Sequence, residues 1–396
     1  MKNSFFRQKG MSIIELMVAV LIGVLAMYAV YLVYEGTERT KRNVTSVGDT
    51  QVAGLYSIFV LESDIKNAGS GIINAGISGQ QGNGPLLANC SNAGNTWGTA
   101  FGSLTTPATF SFRPTPVLIV PNTGNPNYDD IYVSSGNSTF YAEPVAITVA
   151  AGTTIAAPAG IKQGDVLVDT GTLAGEAIAA GALCQAYLVP NTALPNGVFP
   201  ANAAGLVTLN LQGASAPTAS NWLVNLGVPV RRHFYVDNNN TLQMEDWALG
   251  TNGTWNRTRT DPVVTGVISL RAAYGIAPAP AGGITNLSGN NVIGAVDTWT
   301  FATSPWDAAT ILNMPSLDTV RQIKAVWLSI IVQSDEPEFD SKVAATLPTT
   351  LTQFQTQDCP TGATACPTPN MVTLPSGGHR YRMYETMIPL VNTIWN

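Results

Sequence analysis

The chain has 396 residues, enough for one large domain or two ordinary ones with a sizeable buried core. Only 11% of the residues are charged, against about 25% in typical soluble domains, and the formal net charge is -6. This sparse, acidic charge excludes the basic surface that nucleic-acid binding requires. With 37 Gly and 25 Pro, the composition indicates a loop-rich β domain that works outside the cytoplasm.

The N-terminus combines a short basic leader with a membrane-length apolar segment. Residues 1–10 contain three cations and no acidic residue, which keeps this end in the cytoplasm and predicts that the remainder faces outward. Residues 11–34 are apolar apart from Ser12 and Glu15, and as a helix they extend about 36 Å, enough to cross a bilayer. A carboxylate inside a bilayer helix costs about 2.5 to 3.5 kcal/mol or more, so we expect Glu15 to have a partner.

The sequence around Gly10 resembles the class III signal of type IV pilins and pseudopilins. In both, a basic leader ends in Gly, an apolar residue follows, and Glu is the fifth residue of the apolar helix. The resemblance implies that a prepilin peptidase cuts between Gly10 and Met11 and methylates the new amino terminus of Met11, although Phe is usual at that position. It also implies that Glu15 pairs with the amine of a neighbouring subunit, where two charges that are each costly to bury alone become tolerable together.

Two other interpretations of this segment are possible. An ordinary signal peptide could be cut after Ala26, because Val24-Leu25-Ala26 is an acceptable small-residue site. A plain single-span anchor is the second alternative. Both leave Glu15 in the apolar region without a purpose, so the residues favour the pilin-type signal.

The helix is predicted to continue well beyond Tyr34. Apolar residues recur at helical spacing through this second half, namely Val52, Leu55, Ile58, Phe59 and Ile65. Candidate points of bending are Gly36, Gly48 and Gly54. Asn67-Ala68-Gly69 then supplies a stop, because Gly suits the left-handed conformation that ends many helices.

The rest of the chain has the pattern of short strands separated by Pro, Gly and Asn turns. Residues 71–106 are interpreted as an extended connection. Strands are predicted at 109–120, 130–133, 139–141, 165–169, 185–189, 206–211, 263–276 and 379–390, with a hairpin over 230–246 and a buried central strand within 321–334. In 263–276, one face is predicted to carry Val264, Ile268, Leu270, Ala272 and Tyr274. The fold class is therefore α+β, with a long N-terminal helix packed on a loop-rich, mainly antiparallel β-sheet head.

Several segments, in the same order along the chain, resemble PilW-type minor pilins. They are 61–69 at the end of the helix, then 232–236, 270–276, 323–329 and 381–386. The resemblance divides the chain into a leader (1–10), a transmembrane or filament-core helix (11–34), the second half of that helix (35–70) and an extracytoplasmic β-rich head (71–396).

The resemblance also implies a function. A minor pilin of this type is inserted in the inner membrane, processed by prepilin peptidase, and joins other minor and major pilins in a type IV pilus on the cell surface. It takes part in the initiation of assembly, at or near the tip. Two alternatives stay open: a tip adhesin that binds a surface or a partner cell, and a pseudopilin of a type II secretion system.

The residues give little support to catalysis or metal binding. GxSxG, P-loop and GxGxxG motifs are absent from the sequence. His233 and His379 each lie in a predicted strand beside arginines, which favours a structural role. Residues 237–246 are rich in oxygen ligands but lack the Gly and terminal Glu of a calcium loop. We therefore expect no enzyme, no metal and no cofactor.

The four cysteines are even in number and contain no CxxC pair, which indicates disulfides formed in an oxidising compartment. Cys359 and Cys366 enclose six residues, more than the two to four that separate paired zinc ligands. A disulfide between them would stabilise the fold by about 2 to 3 kcal/mol on the loop-entropy estimate. Cys90 and Cys184 would then form the second pair, although three connectivities are possible.

Overall fold

A computed structural model of the chain describes residues 12–70, 115–138, 145–146, 149–151, 154–158, 161–169, 185–189, 206–210, 222–249, 255–277, 296–313, 322–337 and 345–391. The predicted connection at 71–106 and the predicted strand at 139–141 lie outside these residues.

Helix α1 spans Ile13–Asn67, and its 55 residues extend for about 80 Å. The hydroxyl of Ser12 caps its N-terminus by accepting a hydrogen bond from the N–H of Ile14 at 3.3 Å. At the other end, Gly69 adopts the left-handed conformation with φ +77°. The predicted end of the helix at Asn67-Ala68-Gly69 is therefore confirmed.

Within the described residues, the head consists of short strands with two short helical turns. In chain order they are β1 (Val117–Pro121), β2 (Asp129–Ser135), β3 (Val145–Ala146), β4 (Val149–Ala151), β5 (Thr154–Pro158), β6 (Val166–Asp169), β7 (Gln185–Leu188), β8 (Leu206–Asn210), β9 (Trp222–Asn225), β10 (Val230–Val236), β11 (Leu242–Leu249), β12 (Trp255–Val264), β13 (Val267–Ile276), β14 (Thr298–Thr300), α2 (Ala308–Asn313), β15 (Ile323–Gln333), β16 (Thr350–Gln353), a 3-10 turn (Thr356–Asp358), β17 (Asn370–Thr373) and β18 (Tyr381–Pro389).

Two larger sheets form the body of the head. The first has strand order β1-β2-β10-β11-β12 and the second β14-β13-β15-β18. Three smaller sheets are β16-β17, β3-β9-β6-β7 and β4-β5-β8. Neighbouring strands within these sheets pair antiparallel. The predicted α+β class is confirmed.

Strand β15 is the centre of the second sheet and is covered on both faces. On one face, Val326, Leu328 and Ile330 join the main core that also contains Leu61 and Ile65 of α1. On the other face, Trp327 packs against Phe354, with ring centroids 5.2 Å apart. The near-continuous apolar run is therefore the buried central strand that the sequence predicts.

The predicted single strand at 263–276 is wrong, because the structure divides this run into β12 and β13. The two strands meet between Val264 and Val267, where Gly266 has φ +77°. A Cβ at Gly266 would lie 2.8 Å from the backbone oxygen of Gln333. The chain therefore turns at a residue that needs both a left-handed backbone and no side chain.

The predicted face of this run is also wrong at one residue. The pairing of β13 with β15 shifts register between Val267 and Ser269. Such a bulge turns the side chain of Ile268 toward the opposite face from Leu270. Ile268 accordingly packs with Ile331 and other residues beneath the β16-β17 hairpin, whereas Leu270, Ala272 and Tyr274 belong to the main core.

Helix α1 meets the head through small and polar residues as well as apolar ones. Ser46, Thr50, Gly54 and Ser57 are buried one turn after another, ahead of the apolar contacts near the helix end. The ring of Tyr384 from β18 lies so close to Gly54 that a Cβ there would come within 2.0 Å of it. Short side chains thus let the helix lie directly on the edge of the second sheet.

Gly54→Ala should destabilise the contact between α1 and the second sheet, because the new methyl group displaces the ring of Tyr384. We expect a destabilisation of about 1 to 3 kcal/mol, as for an overpacked core site. Gly48→Ala is the matched control, since nothing lies within 4 Å of a Cβ there. It should stabilise the helix by about 0.5 to 1 kcal/mol. Urea unfolding of the full chain in detergent measures both, and equal effects would contradict the packing role of Gly54.

Candidate assembly site

From Ile13 to Tyr34, α1 presents an exposed apolar surface with one carboxylate. Glu15 lies exposed in the first turn, just after the cap at Ser12, where the positive end of the helix dipole favours a negative charge. Within the described residues, α1 is the one helix long and apolar enough to span a membrane, and its apolar window is not buried by the head. Gly10 and Met11 lie outside the described residues.

A second apolar surface continues along α1 beside the head. Val52, Leu55 and Phe59 are 70%, 60% and 67% exposed. At 100° per residue they lie on the side of the helix opposite the buried residues Ser57 and Leu61. The apolar periodicity of the sequence thus predicted the helix correctly, but most of the repeated residues face away from the head.

An ion-pair network joins the end of α1 to the first sheet. The guanidinium of Arg232 on β10 donates to a carboxylate oxygen of Asp64 on α1, and its Nε donates to Oδ1 of Asp246 on β11 at 2.8 Å. Burial raises the pKa of Asp64, although the charge and hydrogen bond of Arg232 oppose this effect. The network fixes the helix end on the sheet, and it joins two of the segments that resemble PilW-type proteins.

On the other face of the first sheet, His233 lies between two carboxylates. Its Nε2 is 3.1 Å from Oδ2 of Asp130 and its Nδ1 is 3.2 Å from Oε2 of Glu245. The imidazole stacks on Tyr132, with ring centroids 4.1 Å apart. Because ionised carboxylates only accept hydrogen bonds, the doubly protonated imidazolium satisfies both partners.

The charges in this cluster stabilise one another. Burial alone would lower the pKa of His233, but its hydrogen bonds and attraction to Asp130 and Glu245 outweigh burial and raise it. Burial alone would raise the pKa of Glu245, but hydrogen bonds from His233 and Arg257 and their charges lower it to about 2. Arg257 Nη1 lies 2.8 Å from Glu245 Oε1. The cluster therefore ties β2, β10, β11 and β12 together, which is a structural use of His233.

The two other candidate sites have structural roles. Cys359 and Cys366 form a disulfide with Cα atoms 6.2 Å apart, whereas Cys90 and Cys184 lie outside the described residues. Asp237 uses its carboxylate within the β10-β11 turn, where it accepts hydrogen bonds from the N–H groups of Asn239 and Thr241. The described parts of the chain contain no cluster of metal-ligating side chains.

His233→Gln should destabilise the protein in a pH-dependent way, because it leaves two carboxylates facing each other. We expect a loss of about 3 kcal/mol near pH 6, as for a broken buried ion pair. The contribution of His233 is complete below its unfolded pKa of 6.5 and is lost as the pH rises through its raised folded pKa. The contribution of Glu245 to stability is complete above its unfolded pKa of 4.5 and is lost as the pH falls toward 2.

Urea unfolding of both proteins from pH 3 to pH 9 measures this difference. His379→Gln is the matched control, since the Nδ1 of His379 contacts the backbone oxygen of Ser334 at 2.7 Å. The difference between the wild-type and His233→Gln proteins should be largest between about pH 4.5 and pH 6.5. A constant difference over the whole range would contradict the proposed charge state.

Comparison with known proteins finds a family match in the C-terminal part of the chain. Residues 233–392 match the family model described as type IV pilus-assembly protein W, PilW. No curated protein and no solved structure matches the chain. The matched region includes β10, β13, β15 and β18, which carry four of the PilW-like segments in whole or in part. Residues 233–392, less than half of the chain, are therefore similar to PilW-type proteins of type IV pilus assembly.

Proposed function

We propose that the chain is a minor pilin that enters a type IV pilus through α1 and takes part in the initiation of assembly. The observation that carries the proposal is the exposed apolar surface of α1, which covers Ile13 to Tyr34 and resumes at Val52, Leu55 and Phe59. A membrane anchor needs about 20 apolar residues. The exposed stripe beyond them, on the side away from the head, is explained if other helices pack against it.

The position of Glu15 supports the same proposal. Its carboxylate is exposed in the first turn of an apolar helix, where it would be costly in lipid without a counter-charge. Cleavage between Gly10 and Met11 would create an amine at Met11. In a filament, the methylated amine of one subunit would then neutralise Glu15 of its neighbour.

We assign residues 1–10 to a cytoplasmic leader, 11–34 to the membrane and filament core, 35–70 to the helix beneath the head, and 71–396 to the head outside the cytoplasm. Prepilin peptidase and the other minor and major pilins are the partners. The head spans two larger and three smaller sheets. Because so large a head is easier to accommodate at a filament end than in its repeating shaft, we place the subunit at or near the tip.

Glu15→Val should leave the precursor inserted and processed but prevent its assembly, because the neighbour's amine loses its counter-charge. We expect a loss of surface pili comparable to that of a strain lacking the chain, measured by immunoblot of sheared filaments. Glu38→Val is the control, since it removes a carboxylate from the same helix beyond the membrane-length segment. Normal piliation with Glu15→Val would refute the pairing role.

Gly10→Val should leave the precursor uncut, because the peptidase must fit the residue before the scissile bond. The protein isolated from membranes should retain residues 1–10, as measured by intact mass. Ser4→Val is a control in the same leader that leaves Gly10 in place. A mature mass equal to that of the wild-type protein would place the processing site elsewhere.

A further inference from the structure

The two larger sheets have four edge strands, and three of them are blunted. At the β1 edge, the hydroxyl of Tyr274 lies 2.6 Å from the N–H of Ile119. The β14 edge donates the N–H of Trp299 to Ala365 of the disulfide loop at 2.9 Å. The pairing of β12 with β11 shifts register twice, and such irregularities twist an edge away from an added strand. These features leave β18 as the edge to be explained.

The backbone of β18 has unused hydrogen-bonding groups on its outer side. Near the two ends of the pair with β15, Leu390 donates to Lys324 at 2.8 Å and Arg380 accepts from Ser334 at 2.9 Å. Bonded pairs alternate along antiparallel strands, so even-numbered residues of β18 point their backbone groups inward and odd-numbered ones outward. Among the described residues, no other element bonds the outward groups of Tyr381, Met383, Glu385 and Met387.

Proline supports this assignment. Pro389 occupies an odd-numbered position, so its missing N–H falls on the outer side, where the ladder with β15 does not need it. Among the described residues, the outer backbone groups of β18 therefore have no strand partner, while the inner ones pair with β15.

A groove runs beside this edge. It encloses about 370 Å³ and is lined by α1, by the turn before β16 and by the first part of β18, through Val47, Thr50, Leu347, Pro348 and residues 380–384. Its volume lies in the range of ligand-binding clefts. The described lining contains Arg380 and the exposed Arg382 but no acidic side chain. The groove thus offers backbone donors and acceptors, an apolar wall and positive charge.

We propose that an extended, carboxylate-bearing segment of a different pilus subunit binds in this groove as an added strand beside β18. The outward groups of Tyr381 and Met383 supply main-chain hydrogen bonds, and the carboxylate pairs with Arg382. A second copy of this chain fits poorly, because an antiparallel pair of β18 strands centred on Arg382 opposes that residue to itself.

The proposal rests on the proposed function, because the partner is a component of the same pilus. A photocrosslinking amino acid, benzoylphenylalanine, at position 347 of the full chain tests it in pilus-producing cells, because Leu347 lines the groove and Arg382 stays in place. The control probe replaces Arg259 on the blunted β12 edge. After irradiation, we expect an adduct from position 347 alone, and mass spectrometry should map it to an acidic extended segment of another pilus subunit.

Substitution of Arg382 supplies a second measurement. Arg382→Glu should reduce surface piliation about tenfold or more, because it opposes the incoming carboxylate, whereas Arg382→Lys should retain it. Thermal unfolding of both variants in detergent checks that the head is intact; since Arg382 is exposed, we expect no change.

The outcomes separate this inference from the proposed function. Adducts with lipid or with a second copy of this chain overturn the inference. The absence of an adduct, or normal piliation with Arg382→Glu, also overturns it. If piliation is then still lost when the whole chain is absent, the pilus function stands and only the β18 site is rejected. If removal of the whole chain leaves piliation intact, the pilus function itself fails.

Discussion

The close approach of α1 to β15 and β18 is the contact on which the rest of the structure depends. The helix can lie on the sheet because Thr50, Gly54 and Ser57 have short side chains, and Tyr384 fills the space above Gly54. Farther along, Leu61 and Ile65 enter the main core. The polar contacts lie near the start of this interface and the apolar ones near its end, so burial is concentrated where the helix enters the head.

This arrangement sets the direction of the remaining surface. Because the small residues face the head, the larger apolar residues Val52, Leu55 and Phe59 face away from it. The Asp64–Arg232 ion pair then fixes the helix end on the first sheet, while Tyr384 holds it on the second. One helix face therefore serves the fold and the opposite face is left for other molecules. The same placement brings Val47 and Thr50 beside β18 and forms one wall of the groove.

The sequence predicted elements that depend on local pattern, and missed features that depend on neighbours. The helix end at Asn67-Ala68-Gly69, the β10-β11 hairpin and the buried strand β15 all follow from residue type and period. The division at Gly266 was missed, because an apolar run has the same appearance with or without a turn. The bulge that redirects Ile268 depends on how β13 pairs with β15, which no period within one strand encodes. The contact face of α1 was also missed, because its small and polar residues do not form the apolar pattern that marks a buried helix face.

The candidate sites show the same difference between local and non-local features. The Cys359–Cys366 disulfide was predicted from a loop of turn residues, because both ends lie in one short segment. The cluster around His233 could not be predicted in this way, since Asp130 and Glu245 are brought to the imidazole by two different neighbouring strands. The open edge of β18 requires one further step. It becomes visible only after the other three edges of the two larger sheets have been assigned, because an unpaired strand has the same sequence pattern as a paired one.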